Sequence, residues 1–327
     1  MNQQNLRQNK ARTIVQSLNA IVLTVCAGVL IVSTTTPSQG WAAADQQQKT
    51  FSSPEAATQA VAAALRKDDR TELLAIFGKD AQGILTGSGD PIEDKNSVEQ
   101  FLKSYDQMHR FSHGPDGKLF LIVGAENWPM PIPLDKNTTG WYFDTPYGKQ
   151  ELIYRRIGRN ERSTIGTLNA IVVGEHQYYD QNPSKDTTKQ YARKILSTEG
   201  TQDGLYWKTA PGEPDSPIGP MVAEASLEGY RNIKQGQKVP VRGYVFKMLT
   251  KQGADASGGA MDYIVDGKMT GGFAVLAYPA KYRSSGVMTF LVDAEGNVMQ
   301  KDLGPKTSEL AEAIDSYNPD SSWEVVQ

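Results

Sequence analysis

The 327-residue chain has one cysteine, three histidines and no excess of basic charge. A single Cys excludes a disulfide scaffold and any multi-cysteine zinc or iron–sulfur site. Three histidines argue against a His-rich metal centre, and the expectation is that the protein carries no cofactor. With 34 Lys plus Arg against 37 Asp plus Glu, the net charge is −3. No global positive field therefore exists to attract nucleic acid. Hydrophobic residues are 39% and charged residues 22%, which excludes a disordered chain and fits a globular one. At roughly 150 residues per domain there is room for about two domains.

The N-terminus reads as an address. Arg7, Lys10 and Arg12 are followed by an apolar run over residues 20–32, and no acidic residue precedes Asp45. That run is about 13 residues, short of the ~20 that span a bilayer as a helix. Ala42-Ala43-Ala44 then supplies an A-x-A cleavage signal, so residues 1–44 are expected to be a secretory signal peptide. Cys26 follows Val25 rather than a small residue and reads as part of the apolar run, not as a lipid attachment site. Removing Arg7, Lys10 and Arg12 from the 34 basic residues leaves 31 against 37 acidic, a net charge of −6 for residues 45–327. That exported chain would hold no cysteine and would fold on its core alone.

Residues 45–158 open with Ser53-Pro54-Glu55, a helix start, and Ala57, Ala60, Val61, Ala64 and Leu65 follow at helical spacing. A second short helix is expected over 71–77 and a third over 97–109, after a loop at 87–91. Strands are expected over 119–123, 130–134, 140–144 and 151–155. Residues 159–327 start with a long buried helix over 162–180 and a shorter one over 188–197. Residues 204–220 are too rich in Gly and Pro for regular structure. Strand grammar comes next, in GYVFKML, AMDYIV, GGFAVLAYPA, GVMTFLVD and NVMQKDL. Helices succeeded by an antiparallel meander, twice over, predict an α+β protein of two domains, 45–158 and 159–327.

The run from FSSPEAATQAVAAALRKDDRTELLAIF through NWPMPIPLDKNTTGWYFDT resembles nuclear-transport-factor-2-like domains, which often enclose a pocket between sheet and helices. The second half, with its long helix and GYVFKML, FAVLAYPA and MTFLVDAEGNV strands, resembles the globular part of type IV pilins. The pilin's hydrophobic N-terminal helix has no counterpart here. Over residues 51–305 the chain is similar to an exported bacterial family, domain of unknown function 2950, on GLYWKTAPGEPDSPIGPMVAEA and SSGVMTFLVDAEGNVMQKDLGP among other stretches. That likeness implies export and supplies no catalytic residues.

Four sets of residues invite chemistry. Asp106, His109 and His113 would share a face on a continuous helix, yet Gly114 and Pro115 signal that the helix is ending, and two histidines alone leave zinc short of ligands. Glu175-His176 could be an acid–base pair or plain helix surface. Asp293, Glu295 and Asn297 imitate the start of a calcium loop but lack its closing carboxylate, which favours a hairpin turn. Trp128, with Trp141, Tyr142 and Phe143, forms an aromatic cluster that lines a ligand pocket or fills a core. The reading is an exported envelope protein, periplasmic with the extracellular space as the alternative, with no membrane span after cleavage. Its expected role is a non-catalytic binding or assembly module for an envelope protein or small ligand. The alternatives are a periplasmic hydrolase with a pocket in the first domain and a pilus-associated component.

Overall fold

Ser53 starts the first helix as the sequence predicts: its hydroxyl accepts from the Ala56 amide at 3.1 Å, and Pro54 occupies the first turn. The computed structural model describes residues 48–85, 87–114, 116–210, 212–227 and 238–326. The expected signal peptide, residues 1–44, lies outside the described residues.

The protein is α+β. Helices α1 (Pro54–Arg66), α2 (Arg70–Phe77), α3 (Gln82–Leu85) and α4 (Pro91–Gln107) come first. Strands β1 (His109–His113), β2 (Leu119–Val123), β3 (Trp128–Pro129), β4 (Leu134–Lys136) and β5 (Trp141–Phe143) come after them. They form one antiparallel sheet in the order β1-β2-β4-β5, with β3 pairing the far end of β2. Val61, Ile76, Leu121, Leu134 and Phe143 belong to the hydrophobic cluster between these helices and the sheet. Lys118, just before β2, links that strand to β4 and to the end of β5. Its ammonium sits 2.7 Å from Asp135 and 2.8 Å from Asp144, and these two carboxylates hold it above the usual lysine range.

The next element is α5 (Thr145–Gln181), 37 residues long. Asp144 caps it, accepting from the Tyr147 amide. Then come α6 (Gly219–Leu227), β6 (Tyr244–Leu249), β7 (Lys251–Gln252), β8 (Met261–Asp262), β9 (Ile264–Val265) and β10 (Lys268–Met269). The chain ends with β11 (Ala274–Pro279), β12 (Met288–Asp293), β13 (Val298–Asp302), α7 (Thr307–Ala313) and β14 (Glu324–Val325). The second sheet is antiparallel in the order β14-β13-β12-β11-β6, and the hairpins β7–β8 and β9–β10 interrupt the path from β6 to β11. All six residues of β11 are buried, so both its faces are covered, and α5 and α7 both pack on it. Leu168, Ile171, Val172 and Tyr178 of α5 join this second cluster.

Four local expectations are corrected. Residues 151–155 are helical, not a strand, because the capped α5 start at Asp144 and Pro146 runs on without a break through Gly158. Residues 130–134 are irregular up to Leu134: Pro129, Pro131 and Pro133 remove the amides a ladder needs. Residues 188–197 are not a helix, since the Tyr191 amide donates to Met269 O and the Ala192 amide to Glu175 Oε2. Pro91, read as loop, is the first residue of α4, which ends at Gln107.

Candidate functional site

The face of α5 carrying Glu151, Tyr154, Arg155, Gly158, Arg159 and Arg162 arises from helical spacing, which stacks positions three, four and seven apart. Trp128, at the edge of the first sheet, and Ser163 complete a groove of about 730 Å³. Trp128 is 40% exposed and Tyr154 60%. The guanidinium of Arg155 lies 5.5 Å from the centre of the indole of Trp128. It also donates to Glu151 Oε1 at 2.7 Å and to Pro129 O at 2.8 Å, so the indole is held under a fixed cation. Arg159 donates to Glu93 Oε1 at 2.9 Å from a side chain that is 54% exposed. Ser163 accepts from Arg242 at 3.2 Å. Arg162 is exposed and has no carboxylate partner among the described residues. Arg156 turns inward beside this face. Burial lowers its affinity for the proton, partly offset by Asp94, and its Nη1 has no partner among the described residues.

Of the four aromatic residues singled out in the sequence, the structure brings only Trp128 into this groove. Trp141 exchanges both backbone hydrogen bonds with Phe51, and Lys136 lies over its ring. Tyr142 is half-buried, and burial raises its phenol, with Asp135 and Asp144 adding to the effect. Phe143 is a core residue packed on Phe77, ring centres 4.8 Å apart. The alternation of a strand sends Tyr142 to the opposite face from its two neighbours. The groove's arginines were not singled out from sequence. Their signal, YRRIGRNER, becomes legible once residues 151–155 are read as helix.

The other candidates are dispersed. Asp106 pairs with Arg66. His109 and His113 sit at opposite ends of β1, about 13 Å apart along the strand, too far to share one metal ion. His109 donates to Tyr105 O and stacks on the Tyr105 ring. Glu175 and His176 point to different places: Glu175 is fully buried, while His176 donates to Ala294 O at 2.9 Å. Asp293 accepts from the amides of Glu295 and Asn297, closing the β12–β13 turn. Among the described residues no three His, Cys, Asp or Glu side chains converge on a metal position. A smaller groove of about 340 Å³ lies between α5 and α6, where Val173, Ile218 and Met221 give it an apolar lining.

Comparison with known proteins gives one result. The profile of a family described as "Protein of unknown function (DUF2950)" matches residues 48–326. No curated protein and no solved structure matches the chain.

Proposed function

The chain belongs to the DUF2950 family, and from that premise we propose that it is an exported envelope protein whose work is non-catalytic binding in the α5 groove. Export is supported by Arg7, Lys10 and Arg12, the short apolar run and the A-x-A signal ending at Ala44. Among the described residues no helix is long and apolar enough to cross a membrane.

The observation that carries the binding reading is the pair of exposed rings, Trp128 and Tyr154, set among Arg155, Arg159 and Arg162. Large exposed aromatic side chains are costly to leave in water, and fixed guanidinium groups beside them favour a polar partner. Acid–base catalysis needs a positioned donor–acceptor pair. In this groove the one carboxylate, Glu151, is occupied by Arg155.

The test is co-sedimentation with the isolated, insoluble envelope fraction, together with the intact mass of the exported protein. The expected mass begins at Asp45. The exported protein is expected to sediment with the fraction, and the double variant W128A/Y154A to remain in solution with an unchanged melting curve. Equal sedimentation of variant and wild type overturns the groove as the binding face. Retention of residues 1–44 overturns the soluble exported form.

A further inference from the structure

We infer that the α5 groove takes an acidic glycan, a sugar chain bearing carboxylates, a reading that rests on the binding role proposed above. The first reason is charge. The groove is lined by three arginines and one glutamate. Once the Arg155–Glu151 and Arg159–Glu93 pairs are counted, it is a strip with one net positive charge, at Arg162, on a chain whose residues 45–327 carry a net charge of −6, from 31 basic and 37 acidic residues. Such a strip selects an anion against the field of the rest of the molecule. The arginines divide the work. Arg155 is held by Glu151, the Pro129 carbonyl and the indole, so it positions Trp128. Arg162 is exposed without a carboxylate partner among the described residues. Arg159 engages Glu93 through Nη2 while its side chain stays half exposed. A guanidinium has five N–H donors in a fork that matches a carboxylate, so both can receive one.

The second reason is the pair of open rings. Tyr147 is 51% exposed and lies seven residues before Tyr154, so the two share a face of α5, about 10 Å apart along its axis. The Tyr147 ring lies under the Lys118 ammonium at 5.3 Å and edge-on to Phe120, so the aromatic surfaces open in the groove are Tyr154 and Trp128. The electron-rich face of an aromatic ring attracts polarised C–H bonds, and a pyranose presents a flat C–H face on every unit. Two rings on an open face therefore suit a chain of sugars.

An extended acidic peptide fits less well. The edge strand beside the groove, β3, is two residues long and includes Pro129, which has no amide, and the Pro129 carbonyl is already bonded to Arg155. A peptide could not add to that edge as a further strand. A nucleic acid strand would meet the same net negative field as an acidic glycan, and the oligothymidylate below tests it.

The experiment measures binding of the exported protein to four probes of similar length: an oligogalacturonate, a neutral cello-oligosaccharide, an oligoglutamate and an oligothymidylate. The oligogalacturonate is expected to bind, with affinity falling as salt rises. R162Q and W128A are each expected to weaken it about tenfold or more, and W128F to retain most of it. Melting curves of the three variants should match the wild type. The oligoglutamate or oligothymidylate binding as well as the oligogalacturonate overturns the glycan assignment in favour of that class. Equal binding of the neutral chain overturns the role of charge. If no probe binds while sedimentation with the envelope still depends on Trp128, the glycan inference fails and the binding role stands. If both are lost, the binding role fails as well.

Discussion

Glu175 is fully buried in the last two turns of α5, with Oε2 accepting from the Ala192 amide at 2.8 Å and Oε1 without a partner among the described residues. Burial pushes its carboxyl well above the ordinary range, and the single amide hydrogen bond offsets this only in part. Nearby, burial also pushes the Tyr178 phenol up to about 12, with Glu175 adding to it. The folded protein thus keeps a proton on Glu175 that the unfolded chain releases at ordinary acidic pH. Above the unfolded value, the unfolded state binds fewer protons, so stability falls as pH rises until the folded value is passed. The slope in that window is about 1.4 kcal/mol per pH unit. Glu175→Gln keeps the acceptor for Ala192 and removes the titration. Urea denaturation from about pH 5 to about pH 8 should show wild-type stability falling relative to the variant. Parallel pH curves for the two proteins would refute this account. The sequence marked Glu175 only as half of a possible acid–base pair; its burial comes from the facing segment around Ala192, which no local pattern announces.

At the scale of elements, α4 and α5 do the positioning. Asp90 caps α4 by accepting from the amides of Ile92 and Glu93, both at 3.1 Å, and its other oxygen accepts from the Gly243 amide at 2.8 Å. It is 1% exposed, so its loss would leave buried amides without acceptors. Asp90→Ala is expected to destabilise the protein by about 3 kcal/mol in urea denaturation, and Asp90→Asn by less, because an amide oxygen still caps a helix. A loss under about 1 kcal/mol for Asp90→Ala would mean that water replaces these bonds. Two glycines make α5's close approaches possible. A Cβ on Gly148 would collide with the backbone of Pro131 and Ile132, and one on Gly174 with the side chain of Ile218. Gly158 meets nothing within 4 Å, so the glycine at the expected domain boundary is simply tolerated within a long helix.

Over the whole molecule, two hydrophobic clusters lie on either side of a polar joint, and α5 runs past both. At 37 residues it is about 55 Å long. Its first turn bonds to the first half, Thr145 donating to Phe77 O at 2.7 Å. Farther on, Asn160 donates to Ser285 O at 2.9 Å, and Glu161 accepts from the amides of Val287 and Met288. Residue 158, where the sequence grammar changes, lies inside this helix. Separating the halves would break the helix or expose the joint, so calorimetry of residues 45–327 is expected to show one transition with equal calorimetric and van't Hoff enthalpies. Two resolved transitions would show that the clusters unfold independently.

The sequence by itself determined the α+β class and the segments whose pattern is strong and local. The capped start of α1, the apolar β2, and the runs that became β11, β12 and β13 are of this kind, since periodicity and turn residues act over a few positions. It also named Trp128. What only the tertiary structure decided depends on partners distant in the chain. Residues 151–155 are helical because α5 has a cap and a surface to lie on, and residues 188–197 stay irregular because their amides bond to Glu175 and Met269. The groove itself joins Trp128 and Pro129 to Arg155, more than 25 positions later, through a ring contact to the first and a hydrogen bond to the carbonyl of the second. Such pairings are fixed by folding across the chain, where burial and long-range hydrogen bonds outweigh local propensity.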